Sequence, residues 1–172
     1  LNFTSEEGRG YFRETCDRLQ AAGHYLIELE AFTDFESICE RHGQLVAGET
    51  VLSHRDRLKR AGWPFPEPVR VGATYSSEFL AVNRAGRDKV RRELTSLMDA
   101  QDVDMWITPA AMGPAPRGLG NTGNPLMNLP WTYCGLPTLT LPSGVNHDGL
   151  PLGLQLAAGW HADEKLLAWS TE

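Results

Sequence analysis

Three sets of residues in this 172-residue chain have the types needed for nucleophilic catalysis, and the first is a possible serine-hydrolase triad. Ser143, His147 and Asp148 would supply its hydroxyl, imidazole and carboxylate, which such sites hold by geometry and not by order along the chain. All three fall in a short connection between two predicted strands, where turn formation explains them. The chain also lacks a Gly-x-Ser-x-Gly turn, the usual setting of such a serine. We therefore expect turn residues here and keep a hydrolase that uses Ser143 and His147 as the weakest alternative.

The two other nucleophile candidates have ordinary structural explanations. Ser76 and Ser77 stand at the predicted start of a helix, where a serine side chain caps the first turn. Cys134 precedes Gly135 with no histidine or lysine close by in the sequence, which favours a small buried thiol. The glycines between residues 118 and 123 do not directly follow a predicted strand, so they are a weak indication of a phosphate-binding loop.

The histidines do not predict a metal site. None of the five falls in a His-Glu-x-x-His pattern, and no pair of cysteines accompanies them at ligand spacing. We therefore expect scattered surface or interface roles, and neither a metal nor another cofactor. The histidines are His24, His42, His54, His147 and His161.

Charge and composition disfavour several classes of partner. The formal net charge is −6, from 16 Lys and Arg against 22 Asp and Glu, whereas nucleic-acid binders usually carry a basic excess. No uncharged apolar run approaches the roughly 20 residues that a membrane-spanning helix needs. Three widely spaced cysteines without a Cys-x-x-Cys pair favour a reducing compartment, so we expect a cytoplasmic protein.

The first half of the chain predicts two helices and one strand from the spacing of its apolar residues. Thr4 to Glu7 fits a capping box, with Thr4 as the N-cap of a helix that ends near Gly23. Alternation over residues 25–30 predicts a half-buried strand. A second capping box at residues 33–36 opens the next helix, and residues 48–75 are predicted to form a loop. The residues that would break this last segment are Gly62, Pro64, Pro66 and Pro68.

The second half predicts a long helix from Ser76, then a short buried strand over residues 102–108 that Pro109 stops. Residues 109–136 are rich in loops, and a long loop in a compact domain is usually functional or mobile. Strands at 137–142 and 150–156 should pair as an antiparallel hairpin, and Asp163 should cap a last helix. The four arginines of the long helix should lie largely on a solvated face. They are Arg84, Arg87, Arg91 and Arg92.

The most specific signal is the run GNPLMNLPWTYCGLPTLTLPSG at residues 123–144, followed by DGLPLGLQL at residues 148–156. In order and spacing, this run resembles the C-terminal region of the amidase signature family. The segment DMWITP at residues 104–109 resembles the buried strand that precedes that region, so the resemblance covers residues 102–167.

The resemblance implies an α/β fold, a partial α/β/α layered domain with a mixed sheet. Residues 1–172 would form the C-terminal part of a single domain whose N-terminal catalytic part lies outside this chain. Members of the family hydrolyse carboxamide C–N bonds, or transfer the acyl group, with a Ser nucleophile, a bridging cis-Ser and a Lys base. Those residues lie in or upstream of a Gly/Ser-rich segment that this sequence does not contain. We therefore expect no catalytic residue here and an inactive isolated segment; the alternative is a non-catalytic binding or scaffold module.

The same resemblance points to substrate contacts in the irregular segment before the hairpin. We expect them from Asn124, Asn128 and Trp131, although packing alone explains Trp131 equally well. Family members that act on a glutamine side chain carry an acidic residue where this chain has Asn124 and Pro125, so we do not expect it to recognise an ammonium group by that route.

The resemblance also implies partners. They are a small-molecule amide and the N-terminal part of the same domain, with no nucleic acid and no membrane. Because a partial domain exposes a sheet edge and apolar faces, we further expect the isolated chain to self-associate, with a homo-oligomer possible.

Overall fold

Helices make up most of the first 101 residues in the computed structural model, which describes residues 2–61 and 67–171. Helix α1 spans Glu6–Ala21, α2 spans Phe35–Ala61, α3 spans Glu67–Gly72 and α4 spans Ser77–Gln101. The predicted start of α4 is confirmed, because the Ser76 hydroxyl accepts a hydrogen bond from the Phe79 amide at 3.1 Å.

The start of α1 differs by one residue from the prediction. Ser5, and not Thr4, is the N-cap, and its hydroxyl accepts from the Gly8 amide at 3.0 Å. Thr4 is instead 4 % exposed and directs its hydroxyl toward the sulfur of Met127. A capping pattern with two adjacent hydroxyl residues fits either start, and tertiary burial of Thr4 decides between them.

Two further predictions for the first half are wrong. Residues 25–30 form no strand, and Tyr25 is 89 % exposed. An alternating pattern does not produce a strand unless a neighbouring strand pairs with it. Residues 48–75 are not one loop, since α2 continues to Ala61 and α3 follows. Gly48 sits within α2 where Leu80 of α4 packs against it, so helix packing extends α2 past this glycine. Gly62, Pro64 and Pro66 lie outside the described residues, and Pro68 is at the first turn of α3, where proline is tolerated.

The described residues form one sheet of three strands, in the order β1-β3-β2. Strand β1 spans Trp106–Pro109, β2 spans Thr138–Val145 and β3 spans Pro151–Ala157. The predicted β2–β3 hairpin is confirmed, with a bulge between Pro142 and Gly144. The combination of six α-helices with this sheet in the described residues confirms the α/β class. Both strand pairings are antiparallel, so these three strands contain no parallel pair of the expected mixed sheet.

The second half also contains short helical elements. A 3₁₀ helix spans Pro125–Met127, α5 spans Leu129–Cys134 and α6 spans Asp163–Trp169. Asp163 does not cap α6, because Ala162 occupies the N-cap position and Asp163 is the first helical residue.

The core consists of two apolar clusters, one for each face of the sheet. The first joins Trp106 and Ala157 to the buried sides of α2, α4 and α5. The second joins Leu154 and Leu156 to Phe12 and Leu19 of α1 and to Leu166 of α6. The sheet is thus covered on both faces, as a layered α/β arrangement requires. Over the described residues, no helix is both long and apolar enough to cross a membrane.

Candidate functional site

The segment between β1 and the 3₁₀ helix, residues 110–124, contains no helix or strand, and we call it the wall loop. Its first residues are fixed by three hydrogen bonds. The Ala110 amide donates to the Gly153 carbonyl at 2.9 Å, and the Ser5 amide donates to the Met112 carbonyl at 2.6 Å. The Asn128 side-chain nitrogen donates to the Ala110 carbonyl at 3.2 Å. The sheet, α1 and the start of α5 therefore hold the base of the loop together.

Two glycines allow α1 to approach the base of the wall loop closely. A Cβ on Gly8 would lie 2.9 Å from the Met112 carbonyl oxygen, and one on Gly113 would lie 2.6 Å from the Ser5 hydroxyl. Since real Cβ atoms do not come so near, each added methyl group would push the loop away from α1.

A polar cluster contacts the middle of the loop. Arg117 forms an ion pair with Asp148 in the turn between β2 and β3. His147 lies 3.5 Å from Asp148 and 3.7 Å from Glu7 of α1. The buried Asn146 donates to Glu7 at 3.2 Å, and its side-chain oxygen accepts the amides of Asp148 and Leu150. The Asn146 side chain therefore closes the hairpin turn, whereas Arg117 and His147 are both largely exposed.

The last part of the wall loop is held by local turns. The Asn121 side chain accepts from the Gly123 amide at 2.9 Å, and the Asn124 side chain accepts from the Leu126 amide at 3.0 Å. Gly118 and Gly123 have φ of +84° and +85°, in the left-handed region that favours glycine. These glycines make turns and no strand leads directly into them, so the structure gives no support to a phosphate-binding loop.

The structure brings two of the three predicted substrate-binding residues together and separates the third. Asn124 and Asn128 flank the 3₁₀ helix, and both are exposed. Trp131 is 3 % exposed and packs edge-on against Phe32, with ring centroids 4.9 Å apart. In the described part of the chain, Trp131 therefore has a packing role, while the two asparagines stand where a ligand can reach them.

The candidate nucleophiles are not assembled into a reactive centre. Burial raises the pKa of the Cys134 thiol to about 12, although the nearby Arg91 and Arg87 guanidinium groups oppose this effect. The predicted buried thiol is thus confirmed, and it stays protonated at neutral pH. Ser143 contributes its carbonyl oxygen, which accepts from Arg18 at 2.7 Å.

The triad kept as the weakest alternative, Ser143, His147 and Asp148, does not form among the described residues. His147 is directed at the carboxylates of Glu7 and Asp148, and the Ser143 hydroxyl makes no hydrogen bond to either partner of the triad. The turn role expected for these residues agrees with the geometry, because Gly149 closes the turn at φ +76°.

A cleft lies beside the base of the wall loop, between α1 and the ends of β1 and β3. Its narrow part has a volume of about 20 Å³. It adjoins an open groove of about 410 Å³ that includes Tyr11, Glu14, Asp17 and Arg18 of α1. The narrow part holds about one water molecule. The narrow part is therefore too small for a substrate, and the wider groove beside it is open to solvent. Within the ranges 2–61 and 67–171, no group of three potential metal ligands occurs.

Sequence reasoning missed Arg91, which it placed on a solvated face. The side chain is instead buried, donates from Nε to the Cys134 carbonyl at 2.7 Å and lies 4.1 Å from the ring centre of Trp160. Helical spacing did carry the signal, because Arg91 stands beside the buried Val90 and one turn before Leu94. Arg91 thereby fixes the end of α5 against α4.

Gln155 is the second residue without a predicted role. It is 1 % exposed at the centre of the sheet, opposite Thr108 on β1 and Thr140 on β2. Neither its amide nor the Thr108 hydroxyl has a hydrogen-bond partner within the described residues. An unpaired buried amide costs about 1–3 kcal/mol, so this position calls for a polar group or a water. A single glutamine within a run of leucines was the signal in the sequence.

Comparison with known proteins places the chain within one family. The family model described as Amidase matches residues 4–167. The chain is 28 % identical over 148 residues to a glutamyl-tRNA(Gln) amidotransferase subunit of Beijerinckia indica, and 31 % identical over 144 residues to the same protein of Methylocella silvestris. These alignments cover 76 % and 74 % of this chain, but only 29 % of each relative. The chain thus spans under a third of the length of these curated relatives.

Solved structures agree with the sequence comparison. An amidase crystal structure superposes with a TM-score of 0.83 at 26 % identity, covering 97 % of this chain and 41 % of the amidase. Fatty acid amide hydrolase superposes with a TM-score of 0.77 at 17 % identity, covering 97 % of this chain and 36 % of that one, which supports the fold alone. The partial fold expected from the sequence is therefore confirmed.

Proposed function

This chain belongs to the amidase family, and we propose that it is the C-terminal part of an enzyme that cleaves carboxamide C–N bonds. The observation that carries the proposal is the family match over residues 4–167, together with a superposition that covers 97 % of this chain and less than half of an amidase. In this proposal the rest of the polypeptide supplies a Ser nucleophile, a bridging cis-Ser and a Lys base.

Within that enzyme, the described residues would form one wall of the substrate site. Asn124 uses its side-chain oxygen to cap the 3₁₀ helix, which leaves its amide nitrogen to donate. Asn128 uses its nitrogen on the Ala110 carbonyl, which leaves its oxygen to accept. One free donor and one free acceptor are what a carboxamide needs for its C=O and its N–H. We therefore assign both asparagines to substrate orientation, and Trp131 to the support beneath them.

Orientation of this kind accelerates hydrolysis by holding the amide carbonyl within reach of the nucleophile. The wall loop would also exclude water from one side of the amide. The proton transfers and the stabilisation of the tetrahedral intermediate would belong to groups outside this chain. The relatives named as amidotransferases favour a C–N-cleaving first step but leave the acceptor of the acyl group open, water or another amine.

The accompanying proposals concern location and assembly. The three cysteines are free thiols, which supports a reducing compartment such as the cytosol. The partners would be a small amide and the remaining part of the same domain. A homo-oligomer of the parent enzyme is compatible with this arrangement, and no nucleic acid or membrane is required.

A second candidate function is a binding or scaffold module without catalysis. It is favoured by the absence of an assembled nucleophile and base among the described residues, where Cys134 is protonated and Ser143 is not paired with His147. The reading frame upstream of Leu1 separates the two candidates. A Lys codon followed by a Gly/Ser-rich segment supports the enzyme, and a start codon directly before Leu1 supports the module.

The proposed function is tested by assaying the full-length polypeptide on simple aryl and aliphatic amides. We expect release of the amine, and a fall in kcat/KM of about 10-fold or more for Asn128→Ala, because misplacement of the amide weakens catalysis. Arg92→Ala serves as the control, since Arg92 is exposed on α4, outside the wall loop and the 3₁₀ helix. Absence of amide cleavage by the full-length protein would contradict the proposal.

A further inference from the structure

Helices α2 and α4 pack side by side and run in opposite directions, and their contact brings an arginine of α2 onto α4. The Gln44 side-chain oxygen of α2 accepts from the Asn83 side chain of α4 at 3.0 Å. One turn away on each helix, Arg41 lies over Gly86, where an added Cβ would come within 3.2 Å of the Arg41 Nη1 atom. Arg87 is the next residue of α4, so this junction of the two helices carries two arginines.

Both arginines influence the Tyr133 hydroxyl of α5, which lies at the same junction. A Cβ on Gly86 would lie 2.6 Å from this hydroxyl oxygen, and the hydroxyl donates to the Asn83 carbonyl at 3.0 Å. Burial raises the pKa of Tyr133, and the Arg41 and Arg87 guanidinium groups oppose this effect. Two positive charges around one buried hydroxyl repel each other, and an anion bound to both would remove that cost.

Neither of these two arginines forms an ion pair with a described carboxylate. Their acidic neighbours in the sequence are engaged elsewhere, since Glu40 accepts from Gln44 at 2.9 Å and Asp88 lies 3.5 Å from Arg91. The Nε atom of Arg87 is shielded from solvent and has no hydrogen-bond partner within the described part of the chain. A shielded donor on a charged group is costly to leave without an acceptor, so this position requires one.

We propose that Arg41 and Arg87 together bind a doubly charged oxyanion of the phosphate type at the junction of α2, α4 and α5. Guanidinium groups match the oxygens of phosphate with paired N–H donors. A phosphate dianion also neutralises both positive charges, whereas a carboxylate neutralises one. Both side chains are partly exposed, so the anion can reach them from solvent. The inference goes beyond the proposed function and does not depend on it, because every residue that carries it lies within this chain.

Calorimetric titration of the full-length polypeptide with inorganic phosphate, at constant ionic strength, tests the proposal. We expect saturable binding, which Arg41→Gln and Arg87→Gln should each weaken by about 10-fold or more, because each variant lacks one charged donor group. Arg92→Gln is the matched control, since Arg92 is exposed on the same helix, and it should bind phosphate as the unmodified protein does.

Two other probes define the chemistry of the ligand. Acetate should bind about 10-fold or more weakly than phosphate, because it carries a single negative charge. Phenyl phosphate separates the two sources of a phosphate group. Binding tighter than that of inorganic phosphate supports a phosphate ester as the ligand, and weaker binding supports the free anion.

Nuclear magnetic resonance of the arginine Nε–H groups gives a measurement that needs no variant. In the full-length protein, phosphate should shift the Nε–H resonance of Arg87 and leave that of Arg92 in place. This measurement decides the question if near-UV circular dichroism shows that a glutamine variant is not folded.

Four outcomes would overturn the proposal. An Arg87 resonance that phosphate does not shift excludes binding at this junction. Full affinity in both Arg41→Gln and Arg87→Gln places the bound anion elsewhere. Equal weakening by Arg92→Gln shows that phosphate responds only to the general charge of α4. Acetate binding as tight as that of phosphate excludes a site for a doubly charged anion.

Discussion

The wall loop and α5 are separated by four residues, yet they differ in nearly every contact. Tyr133 and Cys134 of α5 are 1 % and 0 % exposed, whereas Leu119 in the wall loop is fully exposed. Helix α5 is fixed by apolar packing and by Arg91, while the wall loop depends on a few polar contacts beyond its base. Loops of this kind vary without loss of the scaffold that positions them. The difference indicates that apolar packing in this region is concentrated in α5, next to the loop for which we propose a role in recognition.

The largest expected effect comes from creating a cavity in the core at Trp131 of α5. Replacing Trp131 with Ala removes the packing against Phe32 and Trp106 and should lower the free energy of unfolding by about 3–5 kcal/mol. Leu119→Ala in the wall loop is the matched apolar truncation and should change it by less than about 0.5 kcal/mol. Urea unfolding of both variants measures the contrast, and equal losses would remove the distinction between the two segments.

The next effect concerns the buried arginine. Arg91→Leu leaves the Cys134 carbonyl without its donor and removes the contact with Trp160. We therefore expect the free energy of unfolding to fall by about 2–3 kcal/mol. Arg92→Leu is the control, because Arg92 is adjacent and exposed. If urea unfolding gave similar free energies for both variants, Arg91 would contribute no more to stability than the exposed Arg92, which would contradict its buried role.

Alkaline pH should weaken the core through Cys134. Burial raises the pKa of this thiol to about 12, whereas it is near 9.0 when unfolded. The unfolded chain therefore releases this proton first, so the stabilisation is complete below pH 9.0 and is lost as pH rises toward 12. Between these two pKa values, the free energy of unfolding should fall by about 1.4 kcal/mol per pH unit. The free energy of unfolding of Cys134→Ala, measured between about pH 8 and 11, should lack this pH-dependent decrease. The same decrease in the variant would mean that other groups cause it.

A weaker effect is expected at acidic pH from His42. Burial lowers the pKa of this imidazole, which packs edge-on against Tyr133. A depressed pKa means that the stabilisation is present above the unfolded value and is lost as pH falls through the folded value. Thermal unfolding is measured for the unmodified protein and for His42→Gln from about pH 7 to pH 4. The Tm of the variant should fall less over this range. The same acid loss in both proteins would contradict this role.

The smallest change in stability should come from the wall loop itself. The Arg117 side chain of the Arg117–Asp148 pair is largely exposed, so Arg117→Gln should alter the free energy of unfolding by less than about 1 kcal/mol. Hydrogen exchange in residues 114–120 should nevertheless rise, because this pair holds the middle of the loop. Arg92→Gln should leave that exchange unchanged. A stability loss as large as that of Trp131→Ala would show that the loop belongs to the core.

The sequence predicted best where local chemistry and tertiary packing agree. Ser76 begins α4 because a serine cap precedes a long apolar stripe, and the β2–β3 hairpin follows from alternating leucines around Asp148-Gly149. The resemblance of residues 123–156 correctly gave the family. These features require no knowledge of distant residues.

The predictions were wrong where contacts with residues distant in the sequence determine the local structure or the burial of a side chain. Residues 25–30 alternate like a strand but have no strand beside them, and α2 passes Gly48 because α4 packs against it. Arg91 and Gln155 are polar residues at buried positions, which local patterns assign to the surface. The roles of Asn124 and Asn128 stay a prediction, since the described residues hold no ligand contact that tests them.

Amide hydrolysis by the purified 172-residue chain is the most direct test of the central claim that this segment supplies a wall and not the reacting groups. We predict no release of amine above the buffer background from simple aryl or aliphatic amides, and the same result for Ser143→Ala. Turnover that co-purifies with the chain and disappears in Ser143→Ala would contradict the claim, because it would place the nucleophile within these residues.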